Sequence, residues 1–166
     1  MSSSATRMHV VLPSPIGALT VVADDGKIVA LYMDAQQHRP DDDSLGAPGD
    51  PSAQPFAAAS LQLAAYFAGE LTAFDLPLAP AGTEFQRSVW AALQTIPYGQ
   101  TWSYSQVADK IGRPAAVRAV GLANGRNPVA IVIPCHRVIG SDGSLTGYGG
   151  GLDRKRFLLD LESRPA

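Results

Sequence analysis

Residues 103–125 read SYSQVADKIGRPAAVRAVGLANG, and this stretch encodes two helices. Tyr104, Val107, Ala108 and Ile111 fall at i, i+3, i+4 and i+7, the spacing of one helix face. Gly112-Arg113-Pro114 breaks that helix, with Pro114 placed to open the next. Ala116, Ala119, Val120 and Ala123 repeat the spacing, and Asn124-Gly125 closes the second helix. Two short helices about a tight turn predict a helix-turn-helix. The second helix is almost entirely Ala, Gly, Val and Leu, so its backbone can come close to whatever it meets. At roughly 100° per residue, Arg118 lies about 200° around from Ala116 and points away from the packed face. An Arg so placed can enter a DNA groove. Spacing alone fits a helix pair packed for stability, with Arg118 merely solvated, at least as well.

Upstream, Thr83-Glu84-Phe85-Gln86 has the form of a capping box and predicts a helix start. Phe85, Val89, Ala92 and Leu93 give that helix a buried face, and Pro97-Tyr98-Gly99 turns the chain after it. Downstream, residues 127–134 (NPVAIVIP) read as a buried strand that delivers the chain to Cys135. A lone cysteine is more often an inert small hydrophobe than a nucleophile. His136 beside it is a potential base, and Arg137 a positive charge that would favour the thiolate. A free thiol, with a pKa of ~8.5, is only slightly ionised at neutral pH, so it needs such a partner. The last helix begins after Asp153 and packs through Phe157, Leu158 and Leu161. Glu162 falls at the edge of that face, where it either orients His136 or is simply solvated.

The first half has a different grammar. Residues 8–33 hold three Val- and Ile-rich runs separated by Pro13–Gly17 and by Asp24-Asp25-Gly26, an antiparallel meander. Residues 34–52 are polar, rich in Pro and Gly, and predict a surface loop. Asp41–Asp43 read as its solvated tip, since no further carboxylate has metal-ligand spacing. Residues 56–68 predict a helix with Phe56, Ser60, Leu63 and Phe67 along one stripe and Gly69 as its stop. Residues 71–82 read as the connection between an N-terminal lobe, 1–82, and a C-terminal domain, 83–166.

Charge divides along the same line. Residues 1–82 carry 3 Lys/Arg against 9 Asp/Glu, whereas 83–166 carry 10 against 6. Only the second half suits a polyanion. The 166 residues, 46% hydrophobic, are enough for one core or two small lobes sharing an interface. The first ten residues hold no apolar signal-peptide core, and no apolar run is long enough to span a bilayer. One cysteine cannot form an internal disulfide, and with only three histidines a closed zinc site is not expected, so a reducing cytoplasmic setting is.

Taken together, Pro134-Cys135-His136-Arg137-Val138 resembles the signature of the O6-alkylguanine-DNA alkyltransferases. Residues 116–121 resemble that family's recognition helix, and Asn127-Pro128, the run 147–151, Glu162, and Ile96-Pro97-Tyr98-Gly99 with Ser103-Tyr104 follow in the family's order. The similarity runs from about Thr83 to Glu162, and more loosely through Ser14-Pro15-Ile16-Gly17. It implies an α+β fold: an N-terminal antiparallel-sheet lobe of ribonuclease-H-like topology and a C-terminal winged-helix-like helical domain holding the helix-turn-helix. It implies DNA repair by single-use transfer of an alkyl group from guanine O6 to Cys135, after binding in the minor groove of double-stranded DNA and flipping the nucleotide.

The resemblance also implies roles. Arg118 fills the vacated stack, and Tyr104 aids flipping and protonates the departing guanine. His136 takes the thiol proton through a bridging water, Glu162 polarises His136, and Asn127 orders the turn beside the site. Ala116, Ala119, Gly121 and Arg126 lie along the DNA, and Ser103 supports the pocket. Tyr148, Gly149, Val138 and Pro134 form its wall, although some relatives carry a larger residue than Gly149. The N-terminal cysteines that bind zinc in some relatives are missing, so neither metal nor cofactor is expected, and a monomer is. Two other readings differ in chemistry: a non-catalytic lesion binder would lack Cys135, and a Cys-His-Glu hydrolase would turn over. A plain transcription regulator would need neither Cys135 nor its neighbours.

Overall fold

The structure is a computed structural model that describes residues 6–36 and 39–164. The loop expected at Gln37 and His38 therefore lies outside the described residues. Strands β1 (Arg7–Leu12), β2 (Leu19–Asp24) and β3 (Lys27–Met33) form the expected meander, with Arg7 opposite Asp24 and Leu19 opposite Met33. Asp25 and Gly26, the two residues joining β2 to β3, have φ of 53° and 76°. Both are in the left-handed region that a two-residue hairpin turn demands, which suits Asp-Gly. The central strand β2 is buried at five successive positions and so is covered on both faces.

The sheet is mixed rather than purely antiparallel. Its order is β3-β2-β1-β4, and the short β4 (Ala47–Pro48) runs parallel to β1. Residues 34–52 are consequently more than a surface loop. A 3-10 turn at Asp42–Leu45 brings Leu45 to 3% exposure against Val22 and Ala30, closing the outer face of the sheet. One apolar side chain anchors an otherwise polar segment there, which is why composition hid it. Helix α1 (Phe56–Phe67) covers the inner side and stops at Gly69, whose φ is 77°. Its buried stripe is Phe56, Ala59, Leu63 and Tyr66, so Ser60 and Phe67 flank the stripe instead of forming it.

Beyond the connection come α2 (Glu84–Leu93), α3 (Tyr104–Lys110), α4 (Val117–Gly125) and α5 (Leu152–Ser163). A two-stranded parallel pair, β5 (Trp102–Ser103) and β6 (Val138–Ile139), lies among them. Thr83 caps α2 as expected: its Oγ1 accepts from Gln86 N at 3.1 Å, and Gln86 Oε1 accepts from Thr83 N at 3.0 Å. Trp90 replaces Phe85 in the buried face of α2, and its indole donates to Ala123 O on α4 at 2.9 Å. Helices α3 and α4 form the helix-turn-helix, but α4 starts at Val117 and not at Pro114, which sits in the turn. Val120, Ala123 and Asn124 form its buried side, leaving Ala119 exposed beside Arg118.

The expected strand before Cys135 is not formed. Residues 127–134 are a buried, turn-rich segment that touches the sheet at a single bridge, Leu31 to Val129. Asn127 takes over the pairing a strand would need: its Oδ1 accepts from Val129 N at 3.0 Å and its Nδ2 donates to Ile133 O at 2.7 Å. Ile131, at φ 72°, reverses the chain. An apolar run buried on all sides reads the same whether extended or folded on itself.

One hydrophobic core, from Val10 to Leu161, runs through both halves. The connection is tied down as well, since Ile28 N donates to Pro77 O and Ala79 N to Ile28 O. Replacing Thr83 by Ala should remove the cap of α2 at its exposed end. Stability should fall by about 1 kcal/mol, read from urea denaturation midpoints, and Thr83→Ser should restore it.

Candidate functional site

Cys135 opens a 3-10 turn, Cys135–Arg137, that hands the chain to β6. Its side chain is 6% exposed and lines a narrow cleft of about 20 Å³ with Asn124, Asn127, Tyr148, Gly149 and Gly150. A space of that size holds about one water and is narrower than a purine requires. Segment 147–150 forms one wall. Gly150 lets it sit close on β3, because a Cβ there would meet Met33 Sδ at 2.4 Å.

The next residue in the 3-10 turn, His136, is fully buried. Its Nε2 lies 2.7 Å from Glu162 Oε2, and its Nδ1 has no hydrogen-bond partner among the described residues. Burial holds the imidazole below its usual pKa despite the nearby carboxylate, so it is neutral at pH 7. Burial would raise Glu162, but hydrogen bonds from His136 and Arg137, with their charges, bring it down to about 2. An ionised Glu162 accepts the Nε2 proton and leaves Nδ1 as a free basic lone pair. Helix α5 aims Glu162 inward because Lys155, Leu158 and Glu162 lie at i, i+3 and i+7 on its buried stripe.

Arg137 does not act on the thiol as its place in sequence suggests. Its Nε donates to Glu162 Oε1 at 2.8 Å and its Nη2 to Oε2 at 3.0 Å, while Nη1 donates to Ile96 O at 2.7 Å. Adjacent residues in a 3-10 turn point about 120° apart, which sends Arg137 away from Cys135. The cation that acts on the thiol is Lys155, which the sequence reading missed. Its side chain is fully buried, and Nζ donates to Val138 O at 2.6 Å and to Thr146 O at 2.9 Å. Burial pushes the Cys135 thiol up, while the Asn127 amide and the Lys155 charge draw it back. Burial in turn lowers Lys155 to about 8. The resting cysteine is thus a protonated thiol with a neutral base and a cation nearby. Such a group can be deprotonated on demand, because the Lys155 charge favours the thiolate.

Tyr66 is the second residue missed. From α1 its hydroxyl donates to Glu162 Oε2 at 2.6 Å, so the N-terminal lobe touches the site directly. Both residues were signalled by spacing: Lys155 falls three positions before Leu158, and Tyr66 three after Leu63.

The other expected residues are more dispersed. Tyr148 and Gly149 line the cleft, and the buried Tyr148 hydroxyl has no partner among the described residues. Pro134 lines a different cavity of about 220 Å³, with Arg137 and Tyr98. Val138 is fully buried, paired with Trp102, and meets the site only through its carbonyl on Lys155. Tyr104 is half-buried and its hydroxyl lies 2.7 Å from Thr146 Oγ1, which connects it to the cleft wall at one remove. Ser103 caps α3 by accepting from Gln106 N at 3.2 Å, and faces a neighbouring cavity of about 360 Å³. Arg118, Ala119 and Arg126 are exposed, Ala116 immediately precedes α4 without a side-chain cap, and Gly121 faces the Tyr104 ring. Among the described residues no cluster of His, Cys, Asp and Glu could hold a metal, and no helix is long and apolar enough to cross a membrane.

Residues 84–164 match the family described as 6-O-methylguanine DNA methyltransferase, DNA binding domain, and residues 8–80 match its ribonuclease-like domain. A methylated-DNA–protein-cysteine methyltransferase from Mycolicibacterium paratuberculosis is 60% identical over 151 residues, 91% of this chain and 89% of that protein. One from Methanosarcina acetivorans is 52% identical over 93% of this chain and 97% of its own. The crystal structure of Mycobacterium tuberculosis OGT in complex with DNA is similar at a TM-score of 0.85 and 54% identity, covering 94% of this chain and 92% of that one. Mycobacterium tuberculosis O6-methylguanine methyltransferase superposes at 0.86, with 53% identity and 96% of both chains covered.

The charge arrangement makes the site sensitive to acid. Glu162 has a lowered pKa, so its stabilisation is complete above about pH 4.5 and is lost as pH falls toward about 2. His136 acts in the same sense, because the unfolded imidazole takes up a proton at a pH where the buried one does not. Urea midpoints should therefore fall from pH 7 to below pH 4, with Glu162 contributing on the order of 3 kcal/mol. Glu162→Gln should flatten the carboxylate part of that fall; a parallel fall in both proteins would assign it elsewhere.

Proposed function

The chain belongs to the 6-O-methylguanine DNA methyltransferase family, and on that premise we propose that it repairs double-stranded DNA by moving alkyl groups from guanine O6 onto Cys135. The observation that carries the proposal is the cleft-lining Cys135 followed in the same turn by a buried, neutral His136 whose free Nδ1 is set by Glu162. His136 Nδ1 takes the thiol proton through a bridging water. The Sγ–alkyl bond forms as the alkyl–O6 bond breaks, and the electron pair passes to guanine. Tyr104 supplies the proton that neutralises the departing base. The product thioether is stable, so each molecule acts once.

Delivery of the base falls to α4. Arg118 stands exposed on a helix flanked by Ala116, Ala119 and Gly121, small residues that allow close backbone approach. This suits the narrow minor groove, with Arg118 occupying the place of the flipped nucleotide. Arg126, exposed at the end of α4, contacts phosphate. The protein works as a monomer in the cytoplasm, where its single cysteine stays reduced.

Incubation with a duplex containing O6-methylguanine should add one methyl group to the intact mass, mapped to the Cys135 peptide. Cys135→Ser should abolish the gain and keep DNA binding; continued release of product without a mass change would show a hydrolase instead. Arg118→Ala should slow transfer from duplex DNA by at least about tenfold while leaving transfer from the free base O6-benzylguanine nearly unchanged. Equal duplex rates in mutant and wild type would remove Arg118 from the mechanism.

A further inference from the structure

Glu162 Oε2 accepts three hydrogen bonds: from His136 Nε2 at 2.7 Å, Arg137 Nη2 at 3.0 Å and Tyr66 Oη at 2.6 Å. The first two donors belong to the turn that carries the thiol. The third comes from α1, 96 residues away in sequence. Tyr66 is 1% exposed and its ring is wedged among Phe67, Phe74 and Tyr98, with centroids at 5.3, 5.3 and 6.3 Å. The hydroxyl has little freedom to turn elsewhere, and burial together with the Glu162 charge keeps it protonated. It is a permanent donor to the same oxygen that holds the imidazole.

We propose that Tyr66 is a positioning residue for alkyl transfer: its hydroxyl sets how much of the Glu162 charge falls on His136. This rests on the reading of His136 as base toward Cys135. Each donor to Oε2 draws down the negative charge that the carboxylate can offer the others. With Tyr66 in place, Glu162 still orients Nε2–H but stabilises the imidazolium less, so the resting imidazole stays neutral and ready to accept a proton. Without it, Oε2 has one fewer donor and its charge turns toward His136. The charged and titratable groups around His136 are Glu162 and Lys155 on α5, Arg137 and Cys135 on the turn, Tyr66 on α1, and Tyr98 and Tyr148 in loops. Arg137 and Lys155 oppose protonation of the imidazole, and Glu162 favours it. Loss of the Tyr66 donor therefore strengthens the one contribution that favours the cation.

Tyr66→Phe in the full chain keeps the ring and its stacking while deleting the donor. Single-turnover methyl transfer to Cys135, measured across roughly pH 5 to 9, should show its acid limb moved to higher pH by about half to one unit. A purely structural role predicts a uniform rate loss with the limb in place. That result, or a limb moved to lower pH, would overturn the proposal. The His136 ring can also be titrated by nitrogen NMR in both proteins without substrate, and its midpoint should rise in Tyr66→Phe. An unchanged midpoint overturns the proposal even if rates differ. The two readings fail separately: a wild-type chain that gains no methyl group sinks the assigned reaction, whereas the ring titration tests Tyr66 regardless.

Discussion

Glu162 is the carboxylate on which the two halves of the molecule converge. It is buried, ionised and supplied with four donated hydrogen bonds: two from Arg137, one from His136 and one from Tyr66. A buried charge survives only when it is paired and its remaining lone pairs are met, and here both conditions hold. The arrangement fixes the imidazole tautomer, locks the 3-10 turn that carries the thiol, and joins α5 to α1. Remove the carboxylate and Arg137 becomes an unpaired buried cation, which is why structure and chemistry cannot be separated at this point.

Lys155 plays the matching part toward the cysteine itself. It is seldom that a lysine lies fully buried, and this one has two backbone carbonyls for partners and no carboxylate among its hydrogen bonds. Its charge is left uncompensated until a thiolate forms nearby. The cysteine rests protonated under the same burial. A thiolate that forms only when a base removes the proton suits a protein that acts once, because premature ionisation would expose its single nucleophile to oxidation. The narrow cleft serves the same end, since a small volume before the sulfur limits what can reach it.

The meander, the capping box at Thr83, the helix pair and the inward face of α5 were all legible, since each rests on local periodicity or turn chemistry. What failed did so where tertiary contacts decide. Residues 127–134 carry enough apolar side chains for a strand, yet Asn127 satisfies the backbone locally and the chain folds back at Ile131. Leu45 lies in a polar stretch whose composition conceals its one anchor. Arg137, next but one to the cysteine, points elsewhere because a 3-10 turn spreads its side chains.

The order of motifs from Thr83 to Glu162 was enough to identify the family, and local patterns were enough to place most helices and strands. Cys135, His136 and Glu162 could be named because they fall in the family's ordered motifs; by type alone the cysteine read as an inert hydrophobe and the glutamate as a solvated side chain. Sequence could not show which charges meet. Tyr66 and Glu162 lie 96 residues apart, and the Lys155 charge bears on the thiol only after α5 has packed. Electrostatic coupling depends on distance in space and on exclusion of water, and both exist only once the two halves share a core.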